Sequence, residues 1–113
     1  MMAYTGTPLV LDNTLRLPGV TRIPVGTPRW FEWLQTATSF SYQLSGQTYR
    51  LTLRKEKRRG QFYWYAYLKK ASKLHNGYVG RSEGLTVDRL AAVYQRMMAK
   101  IYHAHPRPQP RGE

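Results

Sequence analysis

The sequence predicts an α+β fold: a three-stranded antiparallel sheet packed on a C-terminal helix, with a short N-terminal helix and flexible ends. Residues 47–81 alternate apolar and polar side chains with period two and are rich in aromatic residues, which is typical of strands. Residues 85–101 repeat apolar side chains at a period near 3.6, which indicates an amphipathic helix. A chain of 113 residues suits one small domain with tails.

The first segment, residues 1–26, is predicted to be an irregular N-terminal arm, because prolines and glycines interrupt it. Leucines spaced at two on either side of Asp12 and Asn13 leave a short hairpin as the alternative. In an arm that orders on binding, Arg16 and Arg22 would suit contacts with phosphate or the minor groove.

The predicted nucleic-acid-binding domain covers residues 27–103 and begins with a short helix. Thr27 suits the N-cap, and Pro28 suits the first helical position. The following Trp30, Trp33 and Leu34 are spaced along one helical face, so we interpret them as part of the core rather than as a ligand pocket.

Strands follow in the middle of the chain. They are predicted at residues 40–44, 47–55, 61–69 and 73–80. The first would be a short edge strand, so the sheet has three strands, or four with this edge. Basic turns at residues 55–60 and 69–73 join the three long strands, and Gly60 can adopt the positive φ of a tight hairpin.

The C-terminal helix is predicted to begin after Thr86 as N-cap and to end near Tyr102. Asp88 lies in its first turn, where the helix dipole favours an acidic side chain. The remaining residues, 104–113, alternate proline with other residues, so they are predicted to be a disordered tail.

Strand parity assigns the side chains to two faces of the sheet. The predicted core face carries Tyr49, Leu51, Leu53, Phe62, Trp64, Ala66, Leu68, Leu74 and Tyr78. The predicted open face carries Arg50, Thr52, Arg54, Tyr63, Tyr65, Tyr67, Lys69, Lys73 and His75. An open face of tyrosine beside arginine indicates recognition of a ligand, although cross-strand stabilisation by the arginine stems is the alternative.

Charge indicates the class of ligand. The chain has 18 Lys and Arg against 6 Asp and Glu, for a net charge of +12. Ten of the basic residues lie between Arg50 and Arg81, where Glu56 is the one acid. Such clustering predicts a polyanionic partner, and nucleic acid is the partner expected.

The sequence thus predicts a site for double-stranded DNA in which the sheet enters the major groove and the basic turns bind phosphates. The predicted DNA-binding residues are Arg50, Thr52, Arg54, Lys55, Lys57, Arg58, Arg59, Tyr63, Tyr65, Tyr67, Lys69, Lys70, Lys73 and His75.

A family resemblance also predicts DNA binding. The aromatic strand, the segment SKLHNGYVGRS at residues 72–82 and the helix entry LTVDRL at residues 85–90 resemble a small β-sheet module of bacterial proteins, including transcriptional regulators. Ser72 stands where that module has glycine. The pattern is also similar to the arm-binding domains of tyrosine recombinases and the Apetala-type domains of plant transcription factors. The resemblance implies a three-stranded sheet in the DNA major groove, in a small regulator or an accessory factor of a mobile element.

Other classes fit less well. The histidines and six carboxylates show no spacing typical of catalysis or of a metal site, so we expect no enzyme, no metal and no cofactor. No apolar run could span a membrane, and no signal peptide is evident, so a cytoplasmic protein bound to the nucleoid is expected. The alternatives are an RNA-binding protein, or a subunit of a nucleoprotein assembly that binds a protein partner through its N-terminal region.

Overall fold

The computed structural model describes residues 8–19 and 21–104 of the chain. In this part, a seven-stranded sheet is combined with two α-helices and a 3₁₀ turn at Ser82–Gly84. The strands are β1 (Leu9–Leu11), β2 (Thr14–Arg16), β3 (Arg22–Pro24), β4 (Ser39–Gln43), β5 (Leu51–Arg58), β6 (Gln61–Lys70) and β7 (Lys73–Gly80). The helices are α1 (Pro28–Thr36) and α2 (Val87–Ala104).

The sheet is larger than expected and mixed. Its strand order is β3-β2-β1-β4-β5-β6-β7. Strand β1 pairs with β4 in parallel, whereas the other neighbouring strands are antiparallel. The predicted antiparallel sheet of three or four strands is therefore wrong. Three strands of three residues each join it from the N-terminal side, and segments this short show almost no periodicity in sequence.

The predicted N-terminal arm thus contributes three strands to the sheet, β1, β2 and β3. Asp12 and Asn13 have φ values of 55° and 60° and form the two-residue turn between β1 and β2, as in the hairpin alternative. Val10, Leu15 and Ile23 are buried in the same core as the later strands. Residues 1–7 and Val20 lie outside the described residues.

The helix predicted after Thr27 is present as α1, with Pro28 in its first turn. Trp30 and Leu34 are fully buried, which confirms their assignment to the core. The Trp30 indole also donates a hydrogen bond of 2.8 Å to the carbonyl oxygen of Leu85. A buried indole N–H needs an acceptor, and this bond provides one. The bond also connects α1 to the loop that precedes α2.

The second helix, α2, provides the largest helical surface of the core. Its buried stripe contains Leu90, Val93, Tyr94, Met97, Met98 and Ile101. The Tyr94 hydroxyl donates a hydrogen bond of 2.8 Å to the carbonyl oxygen of Tyr49. The predicted helix is therefore confirmed, while the predicted disordered tail beyond Ala104 lies outside the described residues.

Basic side chains of α2 cover the outer edge of β7. Arg89 and Arg96 donate hydrogen bonds of 2.8 Å and 2.7 Å to the carbonyl oxygens of Val79 and Tyr78. Lys100 donates another to the carbonyl oxygen of Asn76. An uncovered edge strand is a template for pairing with another chain, so these cations protect the edge.

Candidate nucleic-acid interface

Both described helices pack on one face of the sheet. In α1, the Trp30 ring lies 5.4 Å from that of Phe40. In α2, the Tyr94 ring lies 6.0 Å from that of Tyr42. Phe40 and Tyr42 are paired with Leu53 and Leu51, so both helices contact the side of the sheet on which these leucines lie. The opposite side, hereafter the open face, is covered by no helix in the described part of the chain.

Basic and aromatic side chains dominate the open face where β5, β6 and β7 lie side by side. By register, this region carries Thr52, Arg54, Glu56, Arg58, Tyr63, Tyr65, Tyr67, Lys69, Leu74, Asn76 and Tyr78. The assignment agrees with burial, since Leu51, Leu53, Trp64 and Ala66 are buried on the other side. The predicted division of β5 and β6 into two faces is therefore confirmed.

A hydrogen-bonded and stacked network crosses the open face. The Tyr67 hydroxyl and the Arg58 guanidinium both donate hydrogen bonds to the Glu56 carboxylate. These bonds, that of Tyr67 first, lower the pKa of Glu56 below its ordinary value and favour its ionised form. Arg58 also stacks over the Tyr65 ring, 4.6 Å from its centroid. Part of the tyrosine ladder thus stabilises cross-strand contacts, as in the alternative interpretation.

Other cations of the open face border a shallow depression of about 290 Å³. Its lining includes Arg50, Arg54 and Lys69, together with the apolar side chain of Leu74. No acidic residue is among its lining residues, and Arg54 and Lys69 are exposed. Three cations around a cleft of this size can bind the phosphates or the acceptor-rich base edges of a nucleic acid.

The first basic turn is shorter than predicted. Strand β5 continues to Arg58, and only Arg59 and Gly60 form the turn, with φ values of 55° and 79°. The β4 pairing ends at Arg54, and the β7 pairing ends at Trp64. Residues 56–63 therefore extend past both neighbouring strands as a two-stranded ribbon, with Arg59 in its turn.

Lys55 has a structural role that sequence reasoning missed. It lies on the helix side of β5, and its ammonium donates hydrogen bonds of 2.6 Å and 3.2 Å to the carbonyl oxygens of Leu34 and Gln35. These carbonyls belong to the last turn of α1, the negative end of its dipole. Burial lowers the pKa of the Lys55 ammonium. The predicted placement of Lys55 in the first basic turn is wrong, because Lys55 lies within β5 and its ammonium is bound to α1. Its predicted phosphate contact stays a prediction.

The substitution Lys55→Met is expected to lower the free energy of unfolding by about 1–2 kcal/mol, since it removes charge-assisted hydrogen bonds at a helix terminus. Lys57→Met removes the same charge two residues later on the same face, where Lys57 is exposed, so its effect should stay within about 0.5 kcal/mol. Urea denaturation of both variants measures the difference. Equal losses of stability would contradict the role of Lys55.

The structure corrects the faces of β7. The turn after β6 consists of Ala71 and Ser72 only, so Lys70 pairs with Lys73, and Leu68 pairs with His75. His75 is buried, with 5% of its surface exposed, and it lies with Lys73 on the helix side, so the predicted placement of Lys73 and His75 on the open face is wrong. The predicted phosphate contacts of Lys70 and Lys73 stay predictions. The prediction assumed a five-residue turn at residues 69–73. The observed turn is three residues shorter, and because three is an odd number, the side chains of β7 exchange faces.

The same shift places two unpredicted residues on the open face. Leu74 and Tyr78, predicted to be core, are 58% and 49% exposed. The Tyr78 ring lies 5.6 Å from that of Tyr65 and 6.1 Å from that of Tyr63, so it extends the tyrosine ladder onto β7. A two-residue turn was the signal in the sequence that could have identified both residues.

Within residues 8–19 and 21–104, no group of three or more histidine or acidic residues could hold a metal ion. Neither α1 nor α2 is long and apolar enough to span a bilayer. Comparison with protein-family models, with curated proteins and with solved structures found no match to this chain.

Proposed function

We propose that this protein binds double-stranded DNA without catalysing a reaction, and that the open face of β5, β6 and β7 enters the major groove. The observation that carries the proposal is the uncovered basic and aromatic face itself. Arg54, Arg58 and Lys69 lie there among the tyrosines, and Glu56 is the one acidic residue within this part of the face.

Dimensions support this binding mode. Neighbouring strands lie about 4.8 Å apart, so three strands are about 10 Å wide, close to the major-groove width of about 12 Å. The complete seven-stranded sheet would be about 29 Å wide by the same spacing and could not enter. Entry is therefore limited to the long strands at one side of the sheet, which carry the exposed Arg54 and Lys69.

The ribbon of residues 56–63 provides a second element suited to the groove. It projects beyond β4 and β7, and the major groove admits a two-stranded β-ribbon. Lys57, Arg58 and Arg59 are exposed on it, so they can contact the phosphates that border the groove. Arginine at the turn suits phosphate because its guanidinium donates several hydrogen bonds at once.

Competition at fixed salt tests the proposal. A labelled duplex DNA is bound to the protein and displaced with unlabelled duplex DNA, duplex RNA or single strands of matched length. Duplex DNA should compete best, because B-form DNA offers a wide major groove, whereas that of RNA is deep and narrow. Preferred displacement by single-stranded RNA would favour the stacking of bases on the tyrosines and would overturn the DNA proposal.

The binding surface is tested separately by Arg54→Gln, with Arg29→Gln as the matched control. Both arginines are exposed and both substitutions remove one positive charge, but Arg29 lies in α1, on the helix side. Only Arg54→Gln should weaken binding, by about 1–3 kcal/mol if the guanidinium contacts a base edge. The role as a regulator or as an accessory factor of a mobile element stays a prediction from the resemblance.

Arg59→Asn should separate binding from stability. Arg59 has a left-handed backbone that asparagine adopts at lower cost, so stability should rise by about 0.5–1 kcal/mol. Affinity for duplex DNA should nevertheless fall, with the salt slope reduced by about 0.9 if one phosphate contact is lost. Chemical denaturation and DNA titration measure the two effects.

Ala71→Asn provides the control for this variant, because Ala71 occupies the equivalent position of the second turn with a φ of 53°. It should gain similar stability and leave the salt slope unchanged. A similar loss of affinity in both variants would assign the effect to altered turns rather than to a contact of Arg59.

A further inference from the structure

We infer that Arg16 and Arg22 form a second phosphate-binding site on the open face, which takes a phosphodiester of the same duplex beside the groove that β5, β6 and β7 occupy. The inference rests on the proposed function and extends it, since neither arginine belongs to the three-stranded surface described above. Its ligand is the DNA backbone, so the contact would lengthen the footprint and add affinity without reading sequence.

The register of the sheet places both arginines on the open face. Leu15 pairs with Ile23 and with Val10, and all three are buried on the helix side. Arg16 and Arg22 are the next residues along β2 and β3, so they face the other way. They pair directly with each other across β2 and β3.

One row of paired residues connects this site to the proposed groove surface. From β3 to β6 the row consists of Arg22, Arg16, Leu9, Ser41, Thr52 and Tyr67. Three strand spacings separate Arg16 from Thr52, which is about 14 Å, and five separate Arg22 from Tyr67, about 24 Å. The arginines are thus too far away to share the groove, but close enough to contact a backbone that flanks it.

The site has the electrostatic character of an anion site. Two like charges directly opposite each other across a strand pair destabilise the sheet unless a counter-charge is bound. Neither arginine forms an ion pair within the described residues. The Nε atom of Arg16 is buried and has no hydrogen-bond acceptor within that part of the chain.

A cavity beside Arg16 provides room for a ligand. It has a volume of about 310 Å³, and Leu9, Leu17 and Gly19 also line it. A phosphate bound at this side of Arg16 would lower the repulsion between the two guanidinium groups.

The experiment measures the salt dependence of DNA affinity for Arg16→Gln, Arg22→Gln and the control Arg29→Gln. Duplexes of about 6 and about 20 base pairs are compared. About 24 Å corresponds to about 7 base pairs at 3.4 Å each, so the shorter duplex is too short to span both surfaces. On the longer duplex, Arg16→Gln and Arg22→Gln should each reduce the slope by about 0.9, and Arg29→Gln should not. On the shorter duplex, the three variants should have the same salt slope.

Chemical denaturation establishes that each variant is folded. If Arg16→Gln does not fold, Arg22→Gln decides the question alone, since Arg22 is exposed. Equal effects of Arg22→Gln and Arg29→Gln on the longer duplex would overturn the inference, because overall charge would then explain both.

Further outcomes separate this inference from the proposed function. A loss of affinity in Arg54→Gln, with none in Arg16→Gln or Arg22→Gln, would overturn the second site and leave the groove surface standing. Absence of duplex binding by the unmodified protein would overturn both. Binding of inorganic phosphate that Arg16→Gln abolishes, with unchanged DNA affinity, would show that the site takes a free anion instead.

Discussion

Trp64→Ala is expected to lower the free energy of unfolding by about 3–5 kcal/mol, the usual cost of removing a large core side chain. Trp64 is fully buried, and its ring lies 5.2 Å from that of Phe40. Its indole donates a hydrogen bond of 2.8 Å to the Ser82 hydroxyl, which connects β6 to the loop before α2. The substitution therefore creates a cavity and removes a bond between two parts of the fold.

Phe62→Ala is the matched control, because Phe62 lies on the same face of the same strand but is 54% exposed. Its loss should cost less than about 1 kcal/mol. Urea denaturation of the two variants measures both changes. If Trp64→Ala leaves little folded protein, Trp64→Phe should show a smaller loss, since it retains a ring. A larger loss for Phe62→Ala than for Trp64→Ala would mean that the assigned core is wrong.

The affinity for duplex DNA is expected to fall by about 10²–10⁴ between 50 mM and 200 mM salt. This corresponds to a slope of about −4 to −7 in a plot of log affinity against log salt, at about −0.9 for each neutralised phosphate. The main candidates for these contacts are the exposed cations Arg50, Arg54, Lys57, Arg58, Arg59 and Lys69. Titration of a labelled duplex at several salt concentrations measures the slope.

Single substitutions identify the contributing cations. Lys69→Gln should reduce the magnitude of the slope by about 0.9, whereas Arg96→Gln should leave it unchanged, because Arg96 is bonded to the edge of β7 on the helix side. A slope near zero with affinity retained would contradict the electrostatic basis of the proposed function.

The sequence by itself determined the parts of this protein that depend on local periodicity. Helices α1 and α2 were predictable because their apolar residues repeat with the helical period over several turns. The buried sides of β5 and β6 were predictable because each of these strands has eight or more residues, long enough for alternation to identify a face. The basic and aromatic character of the open face follows from that alternation.

The turns show where local patterns become insufficient. The open-face positions of Leu74 and Tyr78 follow from the register of β7, which the two-residue turn at Ala71 and Ser72 determines. Leu74 is apolar and Tyr78 is aromatic, so their side chains predicted a position in the core. Strand pairing nevertheless places both on the open face. Strand composition cannot reveal this, because a face is defined only relative to the neighbouring strand.

Only the tertiary structure decided the extent of the sheet and the roles of single cations. Strands of three residues gain most of their stability from neighbours, and β1 pairs with β4 across an intervening helix, so their own residues carry little signal. Lys55 and Arg16 look alike in sequence as basic residues. The Lys55 ammonium is bound to carbonyl oxygens about twenty residues earlier in the chain, whereas the Arg16 side chain lies opposite Arg22 on the open face. The physical reason is that charge is a property of a residue, whereas its partner depends on contacts distant in sequence.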